Sequence, residues 1–318
     1  MKLGVISNPD SDRNLRDAGE ARSFIRKRAE VLHLDARNPD EMFDIMPEFA
    51  RAETDVLVIN GGDGTVGAAL TAVLRDGVFE KRPYLAVVPA GQTNSIAHDI
   101  GQTGSPRRVL ARLFEAASGD RPVRSVTRPV LRLDLGEGRE PLYGMFLGGA
   151  AFYDWVRLAR ETLERLGLTQ SSLVGLTVAQ LCFKYLTGRG EDTKLFSPTK
   201  IGINVDGRAE PSRDYVLLLA TTLKRLPARL SPFWGGGDGT LRYTWVTHPP
   251  QRPLSGGILT MLGRPRPWMA EAGFRSGSAN HLELSLSRPL VLDGEFVEPP
   301  GGEALRISAD NVVSFIRC

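Results

Sequence analysis

The stretch VLVINGGDGTVGAAL, residues 56–70, decides the fold of this chain. An apolar run ends at Gly61-Gly62-Asp63-Gly64-Thr65, and small apolar residues follow. This pattern is typical of the turn that connects a buried strand to a helix in a parallel α/β sheet. We therefore predict a strand over residues 55–60 and a helix over residues 66–75, with a ligand-binding turn between them.

The composition of this turn favours phosphate. Glycines let the main chain approach a ligand closely, and the amide groups at the start of a helix attract anions. Asp63 adds a carboxylate that can hold Mg²⁺ on phosphate oxygens. An ordinary tight turn without a ligand is the alternative interpretation.

The surrounding pattern predicts two domains with different architectures. In the first ~120 residues, strand-like runs at residues 3–7, 31–36 and 84–88 alternate with helical patterns, which indicates a parallel sheet with helices on both faces. After Arg121, alternating apolar residues such as Leu131, Leu133 and Leu135 indicate a β-rich antiparallel sandwich, interrupted by a helical insertion at residues 153–186. We predict an α/β domain over residues 1–122 and a β-rich domain over residues 123–298.

Composition and charge exclude several classes of protein. The 318 residues include 40 basic and 37 acidic residues, and a net charge of +3 does not predict a nucleic-acid partner. Cys182 and Cys318 are too few for a disulfide framework or a cysteine zinc site. Because no run of about 18 apolar residues and no signal-peptide pattern occurs, we expect an intracellular protein without a transmembrane segment.

A second glycine loop follows the next predicted strand, in the sequence VVPAGQTNSIAHDIG at residues 87–101. A helix is expected to start near Thr93, with Thr93 or Asn94 as its cap. Neighbouring parallel strands end at the same edge of a sheet, so the two loops should form a two-sided cradle. The chain lacks the usual P-loop, dinucleotide and protein-kinase signatures, so phosphate binding would use a different arrangement.

A pair of late carboxylates stands in PLVLDGEFVE, residues 289–298. Asp293 and Glu295 flank a glycine, so a turn could aim both into one site. Phosphoryl transfer needs an acceptor for the proton of the attacking hydroxyl, and either acid can serve. The alternative is an Asp-Gly hairpin turn with solvated acids.

The pentapeptide GGDGT recurs at residues 236–240, in a different context. Pro232-Phe233-Trp234 precedes it and an alternating strand pattern follows it. Since no helix start is predicted there, we expect the first copy to bind phosphate and the second not to.

The order of these motifs resembles the diacylglycerol kinase catalytic-domain family, shared by bacterial lipid kinases, sphingosine kinases and ceramide kinases. The matching motifs are Ser7-Asn8-Pro9, GGDGT at 61–65, PAGQTN at 89–94 and Leu292-Asp293-Gly294-Glu295. The resemblance implies transfer of the γ-phosphate of ATP, with Mg²⁺, to a lipid hydroxyl of a diacylglycerol, ceramide or sphingoid type. It also implies that residues 304–318 return to the first domain.

The resemblance also implies roles for individual residues. Asp63, Asp293 and Glu295 would be catalytic, with Glu295 acting on the acceptor hydroxyl. The ATP site would consist of Asn8, Gly61, Gly62, Asp63, Gly64, Thr65, Gly91, Gln92, Thr93 and Asn94. At the second GGDGT, Asp238 would bind a structural Mg²⁺ with carbonyls of Gly235 and Thr240, although a plain turn fits equally well.

Several positions depart from the family pattern. Asp10-Ser11-Asp12-Arg13 replaces a small Ser-Gly pair, Ala68 replaces a glutamate, and Gln92 and Ser95 replace a threonine and an aspartate. Two alternatives to a lipid kinase therefore stay open. One is a non-catalytic lipid- or nucleotide-binding homologue, and the other is a small-molecule kinase similar to NAD kinase.

Two segments combine basic and aromatic residues, which suits a membrane interface. They are residues 226–234, which end in Phe233-Trp234, and residues 264–269, which read RPRPWM. We expect a cytoplasmic protein that works on a lipid substrate at a membrane surface, peripheral at the inner face. The alternative is a solvated loop with one packed tryptophan.

Overall fold

The computed structural model describes residues 1–16, 20–75, 78–136, 138–165 and 198–318. The chain divides into two compact units. The N-terminal unit comprises Met1–Arg128 and Val312–Cys318, and the C-terminal unit comprises Pro129–Asn311.

The N-terminal unit is a parallel sheet with helices between its strands. Its strands are β1 (Leu3–Ser7), β2 (Leu32–Asp35), β3 (Val56–Gly61) and β4 (Tyr84–Pro89). Its helices are α1 (Asp12–Arg16), α2 (Glu20–Arg26), α3 (Pro39–Arg51), α4 (Asp63–Leu74), α5 (Ser95–Asp99) and α6 (Pro106–Ser118). The parallel pairs are β2 with β1, β1 with β3, and β3 with β4, and all carboxyl ends therefore meet at one edge.

Local sequence explains these elements. Strands β1 and β3 are buried along their whole length, as expected when helices cover both faces of a parallel sheet. Helix α3 begins after Asn38, whose Oδ1 accepts a hydrogen bond from the Glu41 amide at 2.9 Å, and Pro39 occupies the first helical position. Helix α6 buries Val109, Leu110 and Leu113 against the sheet strands.

The C-terminal unit is dominated by antiparallel strands. Its strands are β5 (Arg124–Asp134), β6 (Leu142–Gly144), β7 (Phe146–Ala150), β8 (Thr199–Val205), β9 (Arg208–Thr221), β10 (Leu241–Thr247), β11 (Phe274–Ala279), β12 (His281–Ser285), β13 (Leu290–Leu292), β14 (Glu295–Val297) and β15 (Leu305–Arg317). Strand β5 begins in the N-terminal unit, and β15 ends there, where Phe315 pairs in parallel with Leu85 of β4.

Strand pairing in the C-terminal unit follows the order β14-β13-β7-β9-β8-β12-β15, with β10 between β9 and β11. Within the described residues, two helices accompany these strands, α7 (Ala151–Arg165) and α8 (Pro253–Met261), with short 3₁₀ turns at Pro227–Arg229 and Pro267–Met269. The core contains the alternating residues that the sequence indicated, among them Leu131, Leu133 and Leu282.

The predicted fold class is confirmed: an α/β N-terminal region with parallel strands precedes an antiparallel, strand-rich region. Two helix starts differ from prediction. Helix α4 begins at Asp63 rather than Val66, because Gly62 is already the extended N-cap residue. Helix α5 begins at Ser95 because Asn94 adopts a left-handed conformation, with φ 50°. Of the predicted helical insertion at residues 153–186, residues 166–186 lie outside the described residues.

Candidate functional site

The first GGDGT forms the junction between β3 and α4. Gly61 is the last residue of β3 and pairs with Pro89 of β4. Gly62 is the N-cap of α4, and no side chain caps this helix. Asp63, Gly64 and Thr65 make up its first turn, so their amide groups lack acceptors within the helix. A helix start in this state attracts anions, since the positive end of the helix dipole adds to the amides.

The second loop lies against this turn, main chain to main chain. A Cβ atom placed on Gly91 would be 2.2 Å from the Cα of Gly62, so only glycine fits there. Asn94 fixes the loop, because its Oδ1 accepts the Gly91 amide at 2.9 Å and its Nδ2 donates to the Gly91 carbonyl at 2.8 Å. Gln92 and Thr93 are exposed on the same loop. The structure therefore brings the two predicted loops together.

Asp63 joins the two loops through hydrogen bonds. Its Oδ2 accepts the Ser95 amide at 2.9 Å and its Oδ1 accepts the Ile96 amide at 3.0 Å, which caps the start of α5. Burial raises the pKa of the Asp63 carboxyl above its ordinary value, and the hydrogen bonds from Ile96 and Ser95 oppose that shift. Each carboxylate oxygen has a second lone-pair direction, so Asp63 can still accept another contact.

Asn8 links the end of β1 to the same turn. Its Nδ2 lies 3.1 Å from Thr65 Oγ1, and its main-chain amide donates to the Asn60 carbonyl at 3.0 Å. Below it, Asn60 Nδ2 donates to Ser7 Oγ at 3.2 Å and Asn14 Nδ2 donates to the Asn8 carbonyl at 2.8 Å. The sequence did not lead us to predict that Asn14 and Asn60 belong to this polar network. For Asn60 a signal was present, because it is a polar residue at the end of an apolar run.

The unusual segment after Asn8 contacts the second loop. It forms α1, where the Arg13 amide donates to the Ala90 carbonyl at 2.8 Å and Arg13 Nη1 donates to the Pro89 carbonyl at 3.2 Å. Asp12 is buried and pairs with Arg16 at 2.8 Å. The segment that departs from the family pattern therefore contacts the second loop, which forms one side of the predicted cradle.

The late Asp-Gly pair forms a hairpin turn. Asp293 and Gly294 both have positive φ, 49° and 95°, and connect β13 to β14 in the two-residue geometry that Asp-Gly favours. Asp293 is buried, with its oxygens accepting the amides of Met145 and Phe146, each at 2.9 Å. The Asp-Gly hairpin was the alternative interpretation, but Asp293 is not solvated as that interpretation assumed.

Glu295 differs from its neighbour in environment. Its side chain is 57% exposed, and its Oε1 lies 3.4 Å from Arg160 Nη2 of α7. Arg160 also donates to the Gly294 carbonyl and stacks over the ring of Phe296. The expectation that the turn aims both acids into one site is wrong. The amides of Met145 and Phe146 hold Asp293 in the protein interior, whereas Glu295 faces solvent.

The second GGDGT lies along β11. A Cβ atom on Gly235 would be 2.0 Å from the Ser276 carbonyl oxygen, and the amides of Gly235 and Gly239 donate to the hydroxyls of Ser276 and Ser278. Asp238 and Thr240 are exposed. Among the described residues no group of three or more His, Cys, Asp or Glu side chains could hold a metal ion. The expected Mg²⁺ site uses the Asp238 carboxylate together with carbonyls of Gly235 and Thr240, and metal binding at this loop stays a prediction.

A comparison with known protein families finds a match in the N-terminal unit. Residues 2–124 match the family model of the diacylglycerol kinase catalytic domain. The chain is 26% identical over 175 residues to the diacylglycerol kinase of Bacillus subtilis (strain 168), covering 55% of this chain and 49% of that protein. It is 28% identical over 160 residues to the mitochondrial acylglycerol kinase of Mus musculus, covering 45% of this chain and 34% of that protein. The chain thus matches half or less of the length of these relatives.

A solved structure resembles the whole chain. A candidate diacylglycerol kinase from Bacillus anthracis str. Sterne superposes with a TM-score of 0.67 at 17% identity, covering 100% of this chain and 97% of that one. At this identity the likeness shows a shared fold. The predicted resemblance to the diacylglycerol kinase family is confirmed.

The C-terminal unit contains a small apolar pocket that is open to solvent. The lining side chains are almost entirely apolar and come from α7, β9, β10, α8 and β11. They include Trp155, Leu217, Val246, Met261 and Phe274. A lining of this kind is suited to hydrocarbon.

The predicted membrane segments are only partly exposed. Phe233 and Met269 are buried, and Trp268 packs edge-on against Phe274 at 6.5 Å between ring centroids. Arg264 and Arg266 are exposed. In the described parts of the chain, no helix is long and apolar enough to cross a membrane. Peripheral membrane association stays a prediction.

Proposed function

We propose that this protein is an ATP- and Mg²⁺-dependent lipid kinase. The observation that carries the proposal is the start of α4, which no side chain caps and which follows directly after β3. The Gly91 loop lies against this helix start, and both lie in the segment that matches the diacylglycerol kinase catalytic domain. The first-turn amides have no acceptor within the helix, and the main chain of the Gly91 loop lies beside them. Such a site suits a polyphosphate. We assign nucleotide binding to the N-terminal unit and lipid binding to the C-terminal unit.

In this proposal, each residue of the cradle has a distinct task. The amides of Asp63, Gly64 and Thr65 bind phosphate oxygens, and Asn8 orients the Thr65 hydroxyl through the 3.1 Å contact. Asp63 keeps the two loops together, and its remaining lone pairs are available to a cation. A bound Mg²⁺ would neutralise charge on the phosphates.

We assign proton transfer to Glu295 rather than Asp293. Glu295 is exposed, and Arg160 orients it at 3.4 Å, whereas both Asp293 oxygens accept main-chain amides. The acceptor hydroxyl oxygen attacks the γ-phosphorus, the bond between that phosphorus and ADP breaks, and the hydroxyl proton passes to the Glu295 carboxylate. Asp293 is a positioning residue, because it fixes the turn that presents Glu295.

The lipid acceptor is supported by the apolar lining of the pocket, which suits contact with an acyl chain. Two similar proteins are named as kinases of diacylglycerol and of acylglycerol, so glycerolipids are the first acceptors to test, with ceramide and sphingoid bases next.

Labelled ATP offered with a panel of these lipids tests the proposal. We expect transfer to at least one lipid, and a loss of turnover of about 10²-fold or more in Glu295→Gln, the size typical of a missing general base. Glu298→Gln is the matched control, because Glu298 is an exposed acid just beyond the same hairpin. Equal turnover in Glu295→Gln and the wild type would refute the assignment of Glu295.

A non-catalytic homologue that binds nucleotide or lipid is the second candidate. The observation favouring it is that Asp63, the carboxylate of the first GGDGT, already accepts two amides of α5. ATP binding by calorimetry without phosphate transfer to any lipid of the panel would favour this candidate over the kinase.

A further inference from the structure

Four exposed apolar side chains form one surface in the C-terminal unit. Leu254, Ile258 and Leu262 are 40%, 45% and 50% exposed and follow each other at four-residue spacing along α8 and its end. Leu230 is 42% exposed, and the Ser231 amide donates to the Met261 carbonyl at 2.9 Å, which brings the Leu230 loop to the end of the helix. We call these four residues the α8 surface.

The opposite side of α8 is buried. A Cβ atom on Gly256 would lie 2.3 Å from the ring of Phe274, and Thr260 is buried. Gly257 and Met261 line the apolar pocket. The helix sequence PLSGGILTM contains no charged residue, so α8 is apolar toward the pocket and toward solvent. A helix that exposes such a face usually has a partner on that side.

The charged side chains that flank α8 in the sequence are all positive. Arg252, Arg264 and Arg266 are exposed at the two ends of the helix, and Arg252 lies 5.1 Å from the ring centroid of Trp268. Residues 239–270 include no Asp or Glu. An apolar helix face with arginines at both ends matches the border between acyl chains and anionic headgroups.

We propose that the α8 surface docks on an anionic lipid bilayer, with its four apolar side chains at the acyl boundary and the three arginines at lipid phosphates. This inference rests on the proposed function. If α8 lies on the bilayer, the apolar pocket beside this helix is next to the membrane, and an acyl chain of the lipid acceptor can enter it from there. A second copy of the chain fits less well, because a twofold contact through this surface would bring the arginines of both copies together.

Vesicle co-sedimentation without ATP tests the proposal. We compare vesicles of phosphatidylcholine alone with vesicles that also contain phosphatidylglycerol. We expect binding to the anionic vesicles, weakened by salt, and at least about tenfold weaker binding for the triple variant Leu254→Ser, Ile258→Ser, Leu262→Ser. The double variant Arg264→Gln, Arg266→Gln should lose the preference for anionic vesicles.

The matched control is the double variant Val123→Ser, Val312→Ser, which removes two exposed apolar side chains of the N-terminal unit, 37% and 56% exposed. It should bind vesicles as the wild type does. Wild-type binding retained by the triple variant, or no binding by the wild type, would overturn the proposal. So would a solution dimer that the triple variant converts to a monomer without changing vesicle binding.

Turnover on an acceptor dispersed in detergent separates this inference from the proposed function. The triple variant should keep wild-type turnover there, because its three residues do not line the pocket. Vesicle binding that depends on α8, without any phosphate transfer, would support the docking surface and contradict the kinase. Phosphate transfer in detergent, with vesicle binding unaffected by the triple variant, would support the kinase and contradict the docking surface.

Discussion

The two copies of GGDGT have the same five residues and different surroundings. In the first, the oxygens of Asp63 accept the amides of Ser95 and Ile96, and helix α4 begins inside the motif. In the second, Asp238 is exposed, and the loop lies along β11 with the Gly235 and Gly239 amides donated to serine hydroxyls.

This difference follows from what comes after each motif. A helix after the first copy leaves first-turn amides without acceptors, which is the condition for binding an anion. A strand after the second copy places its backbone beside a neighbouring strand, where Ser276 and Ser278 satisfy amides of the loop. The motif alone therefore does not define a phosphate site, and variants matched between the copies can test the distinction.

The largest effect is expected for Gly91→Ala. The new Cβ atom would lie 2.2 Å from the Gly62 Cα, and main chain on both sides has little freedom to move. We expect the free energy of unfolding to fall by about 3 kcal/mol, the upper end for overpacking, and ATP affinity to fall with it. Denaturant unfolding and calorimetry measure the two quantities.

The control for this variant is Gly236→Ala in the second copy, where a Cβ atom meets nothing within 4 Å. We expect a change in unfolding free energy within about 0.5 kcal/mol. Equal losses in both variants would contradict the close approach of the Gly91 loop to the first copy.

A smaller effect is expected for Asp63→Ala. The variant leaves the amides of Ser95 and Ile96 without their acceptor, so α5 loses its cap. We expect a loss of about 1–2 kcal/mol in unfolding free energy, typical of a missing cap, and weaker ATP binding. Asp238→Ala, at the same place in the second motif, should change neither measurement; ATP affinity reduced by it would contradict our interpretation of the second copy.

The pH dependence of stability gives a finer test of Asp63. Because burial raises its pKa in the folded protein, the folded state holds the proton more tightly than the unfolded chain does. The stabilising contribution is full below the ordinary pKa of 3.8 and is lost as pH rises through the folded-state pKa. The stability of the wild type relative to Asp63→Asn should therefore decrease as pH rises above 3.8. Urea unfolding at a series of pH values measures this, and an increase with pH would contradict it.

The smallest effect is expected for Ser278→Ala, which removes the hydroxyl that accepts the Gly239 amide at 3.3 Å. We expect a loss of about 0.5–1 kcal/mol in unfolding free energy, the net value of one hydrogen bond. ATP affinity should stay at the wild-type value, and a calorimetric decrease would link the second copy to nucleotide binding.

Residues close together in sequence were predicted well. The run from residue 55 to residue 70 gave the strand, the turn and the helix, and only the helix start moved, from Val66 to Asp63. The approach of the two glycine loops was predicted, but specific hydrogen bonds between distant residues were not. Asp63 and Ser95 are 32 positions apart, and Met145 and Asp293 are 148 apart, so no local pattern shows that main-chain amides would engage both carboxylates.

The sequence by itself determined the parallel sheet, the glycine turn at the end of β3 and the family resemblance, because these depend on residue type and local spacing. Only the tertiary structure decided that Asp63 caps α5, that Asp293 and Glu295 face different environments, and that α8 exposes Leu254, Ile258 and Leu262. The physical reason is that burial and hydrogen-bond partners depend on which distant segments pack together, and that packing sets the role of each carboxylate and each apolar face.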